Sequence, residues 1–501
     1  MADLSTQKAR KTIVDAIKNE ENKARKREQQ KRFDVYNDRQ DVYILERLRR
    51  EFSEKTVNDM RKILSINLAK RIIDEKSSVY SRPVRRDFYR KGGEALTDLQ
   101  ITQIENLYKY CKVDLAMKRA NLFYNLHDQC SVMVVPDNVK GGLKIRAIPP
   151  MHYDVIPRED DPELADAYIL NTWDFDLHKT AKDGNEPTQL NQYRQQDRRD
   201  SVIADDDDRM ALLERYIVWD GASHFVMNGK GEILTDSVEN PVSKVPFVDV
   251  APYDKDFQFF VRRGSSTVDF CLDYGMMLSD NANVIRLQAY SQAVISSEQI
   301  PTNFTVGPNH ILHLKLDPRK PELRPDFQFV TPNPDLAGTQ TFLESMLSLH
   351  LTSEGQDPSI LSTKGEGQKF NSGLDRLLAM ISKFEATRDD FDLFRSVESQ
   401  VLGLMVEWSN EFQLVNGESA WPDELRQAIL PDDLAVSVKY SEPEGIQTKA
   451  EKEDSIIKLL NEGLMSQKEA IMDLREVNED RAVEILSEIN GTDQGIESNQ
   501  E

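Results

Sequence analysis

A chain of 501 residues that is 39% hydrophobic and 30% charged has enough apolar residues for roughly two or three folded domains with polar surfaces. Its net charge of −22 at pH 7 argues against binding nucleic acid over the whole surface. Without an apolar run of 18 residues or an export signal at its start, the sequence predicts no membrane contact. Three widely spaced cysteines, Cys111, Cys130 and Cys271, favour a reducing compartment.

The first 40 residues form a charged arm in which Lys, Arg, Glu and Gln outnumber apolar residues. This composition favours a solvated helix docked on a neighbour, and a frayed terminus is an equally good interpretation. The basic run "KARKREQQKR" at residues 23–32 is a local feature that could contact nucleic acid. Apolar residues then recur at helical spacing between residues 42 and 80, and a second helical region covers residues 98–126.

Between about residues 130 and 250 the hydrophobic period changes towards two, which predicts a mostly β or α+β region. Short runs such as "SVMVV", "LKIRAI" and "RYIVW" are separated by turn signals such as "DNVKGG". The polar insert at residues 190–209 is predicted to be a surface loop, and its four aspartates, Asp205–Asp208, could bind a divalent cation. A solvated acidic loop is the competing interpretation, because adjacent residues rarely converge on one ion.

Two helical patterns then flank a small β unit. The first covers residues 265–297, and the second begins after residue 335. Between them, "NFTVGPNHILHLKL" predicts two extended runs around a Gly-Pro turn, with Leu312, Leu314 and Leu316 alternating with polar residues. The order helix, β unit, helix indicates a projection from the main body.

The stretch "GEGQKFNSG" at residues 365–373 is a glycine-rich loop that leads into a helical stripe extending to Phe412. It lacks the preceding strand and the Lys-Ser/Thr pair of a phosphate-binding loop, so we interpret it as a loop with a freely moving backbone. No GxSxG, HExxH or closely spaced ligand pattern occurs in the sequence. We therefore predict no catalytic residue, metal or cofactor, and an enzyme is the less favoured class.

The last part of the chain predicts one strand and a pair of helices. Alternation favours a strand at Leu434–Tyr440. In the helical region that follows, Gly463 fits a helix C-terminus, and Ser466 with Glu469 fits a capping box for the next helix. Residues 491–501 are predicted to be disordered.

The order of these parts resembles that of tailed-bacteriophage portal proteins. "NLAKRIIDEKSSVYSRPV" (Asn67–Val84) resembles their N-terminal signature, and "IPPMHYDVIPREDD", "ERYIVWDG" and "VPFVDVAPYD" resemble their wing strands. "FNSGLDRLLAMISKFE" resembles the element after the tunnel loop, although Leu374 and Asp375 replace the usual apolar pair. "VKYSEPEGIQTKAEKEDSIIKLLNEGLMSQKEAI" resembles the closing strand and crown. The resemblance covers about residues 45–490.

The resemblance implies an α+β portal fold with a defined order of domains. These would be an arm (1–40), a wing (41–262), a first stem helix (263–296), a β clip (297–334), a second stem helix (335–353), a tunnel loop (354–373), a long helix with a return strand to the wing (374–444) and a helical crown (445–490). The clip would supply oligomer contacts through Leu312, Leu314 and Leu316. The tunnel loop would line a DNA channel with Lys364, Gly365, Gly367, Lys369, Asn371 and Gly373.

The function that the resemblance implies is a homo-oligomeric ring of about twelve subunits at one capsid vertex. Double-stranded DNA would pass through it during packaging and ejection. Its partners would be the terminase large subunit, the major capsid and scaffold proteins, and head-tail adaptor or neck proteins, in the host cytoplasm during assembly and then in the virion. An acidic ring would repel the duplex and let it slide, with Lys364 and Lys369 touching phosphates transiently. The competing interpretation is that these lysines only make a disordered loop soluble.

Two alternatives belong to other classes. The first is a metal-dependent nucleic-acid-processing enzyme whose ligands would come from Asp205–Asp208 and from Asp389 and Asp390. The second is a different ring-forming virion scaffold protein, which would lack a β clip between two stem helices.

Overall fold

The computed structural model describes residues 4–173 (except 5, 55, 56, 58–62 and 138–140), 214–288, 292–296, 326–330, 335–356, 373–414, 421–440, 449–475 (except 464), 482 and 485–487. Within these residues the chain is a mixed α+β protein with several antiparallel sheets, which confirms the α+β class. Its contacts divide it into two units, Met1–Ser362 with Glu385–Ser441, and Thr363–Phe384 with Glu442–Glu501.

Helices and strands occur in successive groups along the described residues. The helices are α1 (Gln7–Ile17), α2 (Glu20–Tyr36), α3 (Asp41–Glu51), α4 (Leu68–Lys76), α5 (Asp98–Tyr110), α6 (Val113–His127), α7 (Ser266–Gln288), α8 (Leu336–Ser353), α9 (Gly373–Leu414), α10 (Lys449–Asn461) and α11 (Gln467–Arg475). The strands are β1 (Arg85–Arg90), β2 (Cys130–Pro136), β3 (Leu143–Ile148), β4 (Tyr153–Pro157), β5 (Ala165–Trp173), β6 (Glu214–Asp220), β7 (Ser223–Asn228), β8 (Ile233–Glu239), β9 (Phe247–Val250), β10 (Gln292–Ser296), β11 (Asp326–Val330) and β12 (Leu434–Lys439).

The charged arm is helical and docked rather than frayed. Asn19 separates α1 from α2 and caps the second helix, because its side chain accepts a hydrogen bond from the backbone N–H of Asn22 at 2.8 Å. On α1, Val14 and Ile17 are buried against one face of the five-stranded sheet β4-β5-β6-β7-β8. The side chain of Arg10 donates to the backbone oxygen of Gly231, between β7 and β8, at 2.9 Å.

The predicted β-rich region forms two antiparallel sheets. Order β3-β2-β9 makes the smaller sheet, whose central strand β2 is almost wholly buried and packs with α6 in the main core. The strand is nearly continuously apolar because both of its faces are covered. In the five-stranded sheet the neighbours are consecutive in sequence, as expected for a meander.

The helix that was predicted as the first stem helix is shorter than predicted. The helical pattern predicted a helix as far as residues 296–297, but α7 ends at Gln288 and residues Gln292–Ser296 form strand β10, paired antiparallel with β11. Val294 and Ile295 are β-branched and favour a strand once a partner is present. A helix was also predicted over residues 335–353, and the structure has helix α8 there with the same end at Ser353.

The return strand predicted at Leu434–Tyr440 is observed as β12. It pairs antiparallel with β1, with Arg85 opposite Lys439 and Arg90 opposite Leu434. This two-stranded sheet brings the end of the first unit back to residues about 350 positions earlier, a separation that no local sequence pattern spans.

In the second unit, both predicted helix signals near residue 465 are confirmed. Gly463 has φ +69°, the left-handed conformation that favours glycine after a helix. The Ser466 hydroxyl accepts from the backbone of Glu469 at 3.2 Å, and the Glu469 carboxylate accepts from the backbone of Ser466 at 2.9 Å. This reciprocal pair is a capping box at the start of α11.

A buried ion pair connects β1 with the long helix α9. Arg86 donates from Nε and Nη2 to the carboxylate of Glu398 at 2.7 and 3.0 Å, and Glu398 is fully buried. Tyr80 donates its hydroxyl to the same carboxylate at 2.7 Å. Although burial alone would lower the pKa of Arg86, the bonds to Glu398 raise it, so the guanidinium stays charged. This bidentate pair fixes where the helix crosses the sheet β1-β12.

We predict that Arg86→Met lowers the free energy of unfolding by about 3 kcal/mol, because it leaves the buried Glu398 carboxylate without its cation. Chemical denaturation followed by circular dichroism measures the change. Arg90→Met is the matched control, since Arg90 lies on the same strand but pairs with Asp433 near the surface and should leave stability nearly unchanged. Equal destabilisation by the two variants would contradict a special role for the buried pair.

Candidate functional site

Helices α7 and α8 form the two sides of an antiparallel hairpin. At one end, the Ser266 hydroxyl bonds to the Glu354 carboxylate, and one turn further along Phe270 stacks on His350 with ring centroids 4.0 Å apart. The beginning of α7 therefore lies beside the end of α8. The strands continue this arrangement, because β10 follows α7, β11 precedes α8, and the two strands pair antiparallel.

The side chains of α8 use many of their polar groups within the helix itself. Asp335 caps the helix by accepting from the backbone of Gly338 at 2.8 Å. The hydroxyls of four further residues each donate to the carbonyl four residues earlier, at 2.8–2.9 Å; they belong to Thr339, Thr341, Ser345 and Thr352. Such back-bonding leaves these hydroxyls with less need of water. These hydroxyls therefore satisfy their donors within the helix, while their side chains remain exposed.

The described residues of the chain cover little of α8. Across the described helix only Leu343 and Leu351 are buried, whereas Leu349 is 72% and Phe342 is 56% exposed. Glu344 is the one residue among Asp, Glu, Lys and Arg in the helix sequence. Large apolar side chains that are exposed on a helix, as Phe342 and Leu349 are, are typical of a surface that another protein chain covers.

Carboxylates on α7 hold the hairpin to the N-terminal helices. Asp269 and Asp273 lie one turn apart on one face of α7, and Arg47 of α3 bonds to both, at 2.8 Å to Asp269. Lys31 of α2 reaches Asp269 at 3.2 Å. These ion pairs fix the direction in which α7 leaves the N-terminal helices.

Close backbone packing reinforces the same junction. A Cβ atom added at Gly275 would lie 2.6 Å from Cδ1 of Ile44, so glycine lets α7 approach α3. The Ser279 hydroxyl, one turn further along α7, accepts from the backbone N–H of Leu64 at 3.0 Å. The beginning of α7 is therefore held to the N-terminal helices by charge and by shape.

An ion pair and a hydrogen bond also hold the C-terminal end of α8. Lys76, the last residue of α4, bonds to the carboxylate of Glu354, which also meets Ser266. Burial alone would raise the pKa of Glu354, but the hydrogen bonds from Lys76 and Ser266 lower it, so the carboxylate stays charged. Both helices of the hairpin are thus anchored at the same end.

Three cations of the basic run in the arm are used inside the fold. Arg25 donates to Asp154 at 2.7 Å, and Lys26 bonds to the same carboxylate, on a residue that is 2% exposed. Arg32 is 1% exposed and donates to Asp128 at 2.7 Å. Nucleic-acid contact by these cations would require breaking buried pairs. The structure therefore favours docking of the arm over the interpretation that the run contacts nucleic acid.

Most of the residues predicted from sequence for the channel and the clip lie outside the described residues. These are Lys364, Gly365, Gly367, Lys369 and Asn371 in the loop, and Leu312, Leu314 and Leu316 in the clip. Gly373 is the first residue of α9. Their roles stay predictions, as does the cation site at Asp205–Asp208, which also lies outside the described residues.

The other candidate metal ligands do not converge. Asp389 is exposed on α9, and Asp390 beside it is half-buried. Burial raises the pKa of Asp390 to about 6 despite a hydrogen bond from Asn125, so protonation is favoured relative to an exposed aspartate. In the part of the chain that the structure describes, no group of three or more His, Cys, Asp or Glu residues could hold a metal ion.

Neither family models nor curated protein sequences match this chain. Among the described helices, none is long and apolar enough to cross a membrane.

The ion pairs that hold the hairpin could hardly be predicted from local patterns in the sequence. Lys76 and Glu354 are 278 residues apart, and Arg47 and Asp269 are 222 apart, so no local pattern pairs them. One signal was present, because Asp269 and Asp273 are four residues apart and share a helix face, which suggests a common cationic partner.

We predict that Asp390→Asn stabilises the protein by about 1–2 kcal/mol at pH 7.5. The pKa of Asp390 is higher in the folded chain, at about 6, than its ordinary value of 3.8, so wild-type stability falls as pH rises through this window. The gain should vanish at about pH 3, where the carboxyl group is protonated in both states.

Chemical denaturation at the two pH values measures the gain. Asp389→Asn is the matched control, because Asp389 is exposed on the same helix and its substitution should change stability little at either pH. A gain from Asp390→Asn that does not depend on pH would contradict the raised pKa.

Proposed function

We propose that this chain is a subunit of a ring-forming portal protein of a tailed bacteriophage. The observation that carries the proposal is the hairpin of α7 and α8, in which two helices lead to and from an antiparallel strand pair and α8 is left largely uncovered. The alternative ring-forming scaffold protein would lack a β unit between two such helices, so the β10-β11 pair favours the portal.

In this proposal, a neighbouring copy of the chain packs against α8 and buries its exposed apolar side chains. The base of the hairpin is fixed by Arg47 and Lys76, so α8 presents Phe342 and Leu349 in a defined direction. When one surface of a subunit packs on a different surface of the next and the rotation closes, the product is a ring. The portal resemblance sets the expected size at about twelve subunits.

The charge of the chain suits a passage for double-stranded DNA. Each phosphate that a protein neutralises adds a salt-dependent contribution to affinity, which would slow a sliding duplex. A net charge of −22 per subunit, repeated around a ring, opposes such binding. In this proposal the loop lysines, Lys364 and Lys369, supply the weak and transient contacts.

A ring in this role would have several further partners. At a capsid vertex it would dock the terminase large subunit during packaging, contact the major capsid and scaffold proteins during assembly, and later bind adaptor or neck proteins. It would occupy the host cytoplasm before assembly and the virion afterwards. We propose no enzymatic step for the chain.

We predict that Leu349→Asp prevents ring formation and leaves the subunit folded. Leu349 is 72% exposed in the single chain, so the aspartate costs little there, but it would bury a charge when a neighbour covers α8. Native mass spectrometry of the purified protein measures the assembly state, and circular dichroism measures the fold.

The matched control is Leu115→Asp on α6, because Leu115 is 64% exposed and lies outside the hairpin. It should assemble as the wild-type protein does. A Leu349→Asp protein that forms the same ring as the control would contradict the role of α8 at the subunit interface.

A further inference from the structure

A loop between β9 and α7 exposes two aromatic side chains. Phe257 is 83% exposed and Tyr253 is 77% exposed, the two highest values for large hydrophobic side chains among the described residues. At this exposure the rings remain in water and gain little packing within the chain. We call residues 253–257 the aromatic tip.

The backbone of the aromatic tip is held in a strained shape. Asp256 and Phe257 have φ values of +53° and +56°, in the left-handed region that a bulky side chain rarely adopts. The backbone N–H of Phe257 donates to the Glu163 carboxylate at 3.1 Å, and that of Asp256 donates to Asp254 at 3.2 Å. A strained conformation persists only where surrounding contacts maintain it. Phe257 is therefore presented on a fixed support.

The lysine within the tip points inward and leaves the outer surface acidic. Lys255 donates to the Asp249 carboxylate and to the backbone oxygen of Glu163, and its ammonium lies 4.9 Å from the centroid of the Phe259 ring. Its side chain is 11% exposed. The positive charge is thus used to anchor the loop.

The turn between β4 and β5 adds to this acidic surface. Glu163, which bonds to the tip, lies in that turn, and the next residue, Leu164, is 46% exposed. Arg158, the one basic residue of the turn, is paired with Asp160 at 2.8 Å. The tip and the turn with its flanks together carry seven carboxylates, which belong to Glu159, Asp160, Asp161, Glu163, Asp166, Asp254 and Asp256.

We propose that the aromatic tip and the acidic turn form a docking surface for a different protein that presents arginine or lysine beside apolar side chains. Exposed aromatic rings bind guanidinium and ammonium groups through their faces, and rigid aromatics are typical anchors of protein interfaces. The surrounding carboxylates attract a basic partner and steer its approach.

The same charges argue against other occupants. Phosphates of nucleic acid would be repelled by seven carboxylates. A second copy of this chain has a net charge of −22, so it lacks the complementary sign that this surface favours. The tip also belongs to a different element from the proposed ring interface, because it lies in the loop before α7 and the interface is on α8.

A display library of random peptides about twelve residues long, selected on the immobilised full-length chain, tests the proposal. We expect selected peptides to carry net positive charge with arginine or lysine next to apolar residues. Binding of a selected peptide, measured by biolayer interferometry, should weaken at least about tenfold in Tyr253→Ala/Phe257→Ala and should also weaken as salt rises.

The control variant is Tyr89→Ala/Leu115→Ala, which removes one exposed aromatic and one exposed apolar side chain elsewhere and should bind as the wild type does. Selection of acidic or neutral peptides, failure to select any peptide, or equal affinity for the two double variants would overturn the proposal. Duplex DNA that binds the wild type and is lost from the tip variant would overturn it too, and would assign the surface to nucleic acid. Native mass spectrometry of the tip variant tests ring formation separately, so the two proposals fail independently.

Discussion

Helix α8 exposes large apolar side chains that the described residues of the chain do not cover. Hydroxyl groups of α8 donate hydrogen bonds to backbone carbonyls of the same helix, and the helix carries one acidic residue. Its apolar side chains Leu349 and Phe342 are exposed to water. Apolar surface of this kind is stabilised by removal from water, and the described residues of the subunit do not provide that removal. The ion pairs at the base of the hairpin hold the helix in place, so a neighbouring molecule meets a surface that is already ordered.

Charge follows a consistent pattern across the first unit. Some cations of helix α2 are directed inward, as in the pairs of Arg25 with Asp154 and Arg32 with Asp128. Lys255 behaves in the same way near the aromatic tip. Because these cations are paired with carboxylates inside the fold, the excess of acidic over basic residues in the chain remains at the exterior. An acidic exterior suits both a channel that lets DNA slide and a docking surface for a basic protein.

Features that local chemistry determines could be predicted from the sequence, and contacts between distant parts of the chain could not. The α+β class, the strand at Leu434 and the capping box at Ser466 follow from hydrophobic period and from side chains three residues apart. The end of α7 was predicted wrongly, because the apolar run with Val294 fits a helix as well as a strand until its partner strand is known. Arg86 and Glu398 are 312 residues apart and leave no signal in a local window. The exposure of Phe342 and Leu349 on α8 could not be predicted either, because it depends on which distant parts of the fold pack against the helix.

Single-particle imaging of the purified full-length chain tests the central claim most directly. We expect closed rings of about twelve copies with an axial opening, in which α8 of each subunit lies against its neighbour. A protein that remains monomeric at high concentration, with α8 still facing solvent, would contradict the proposed ring.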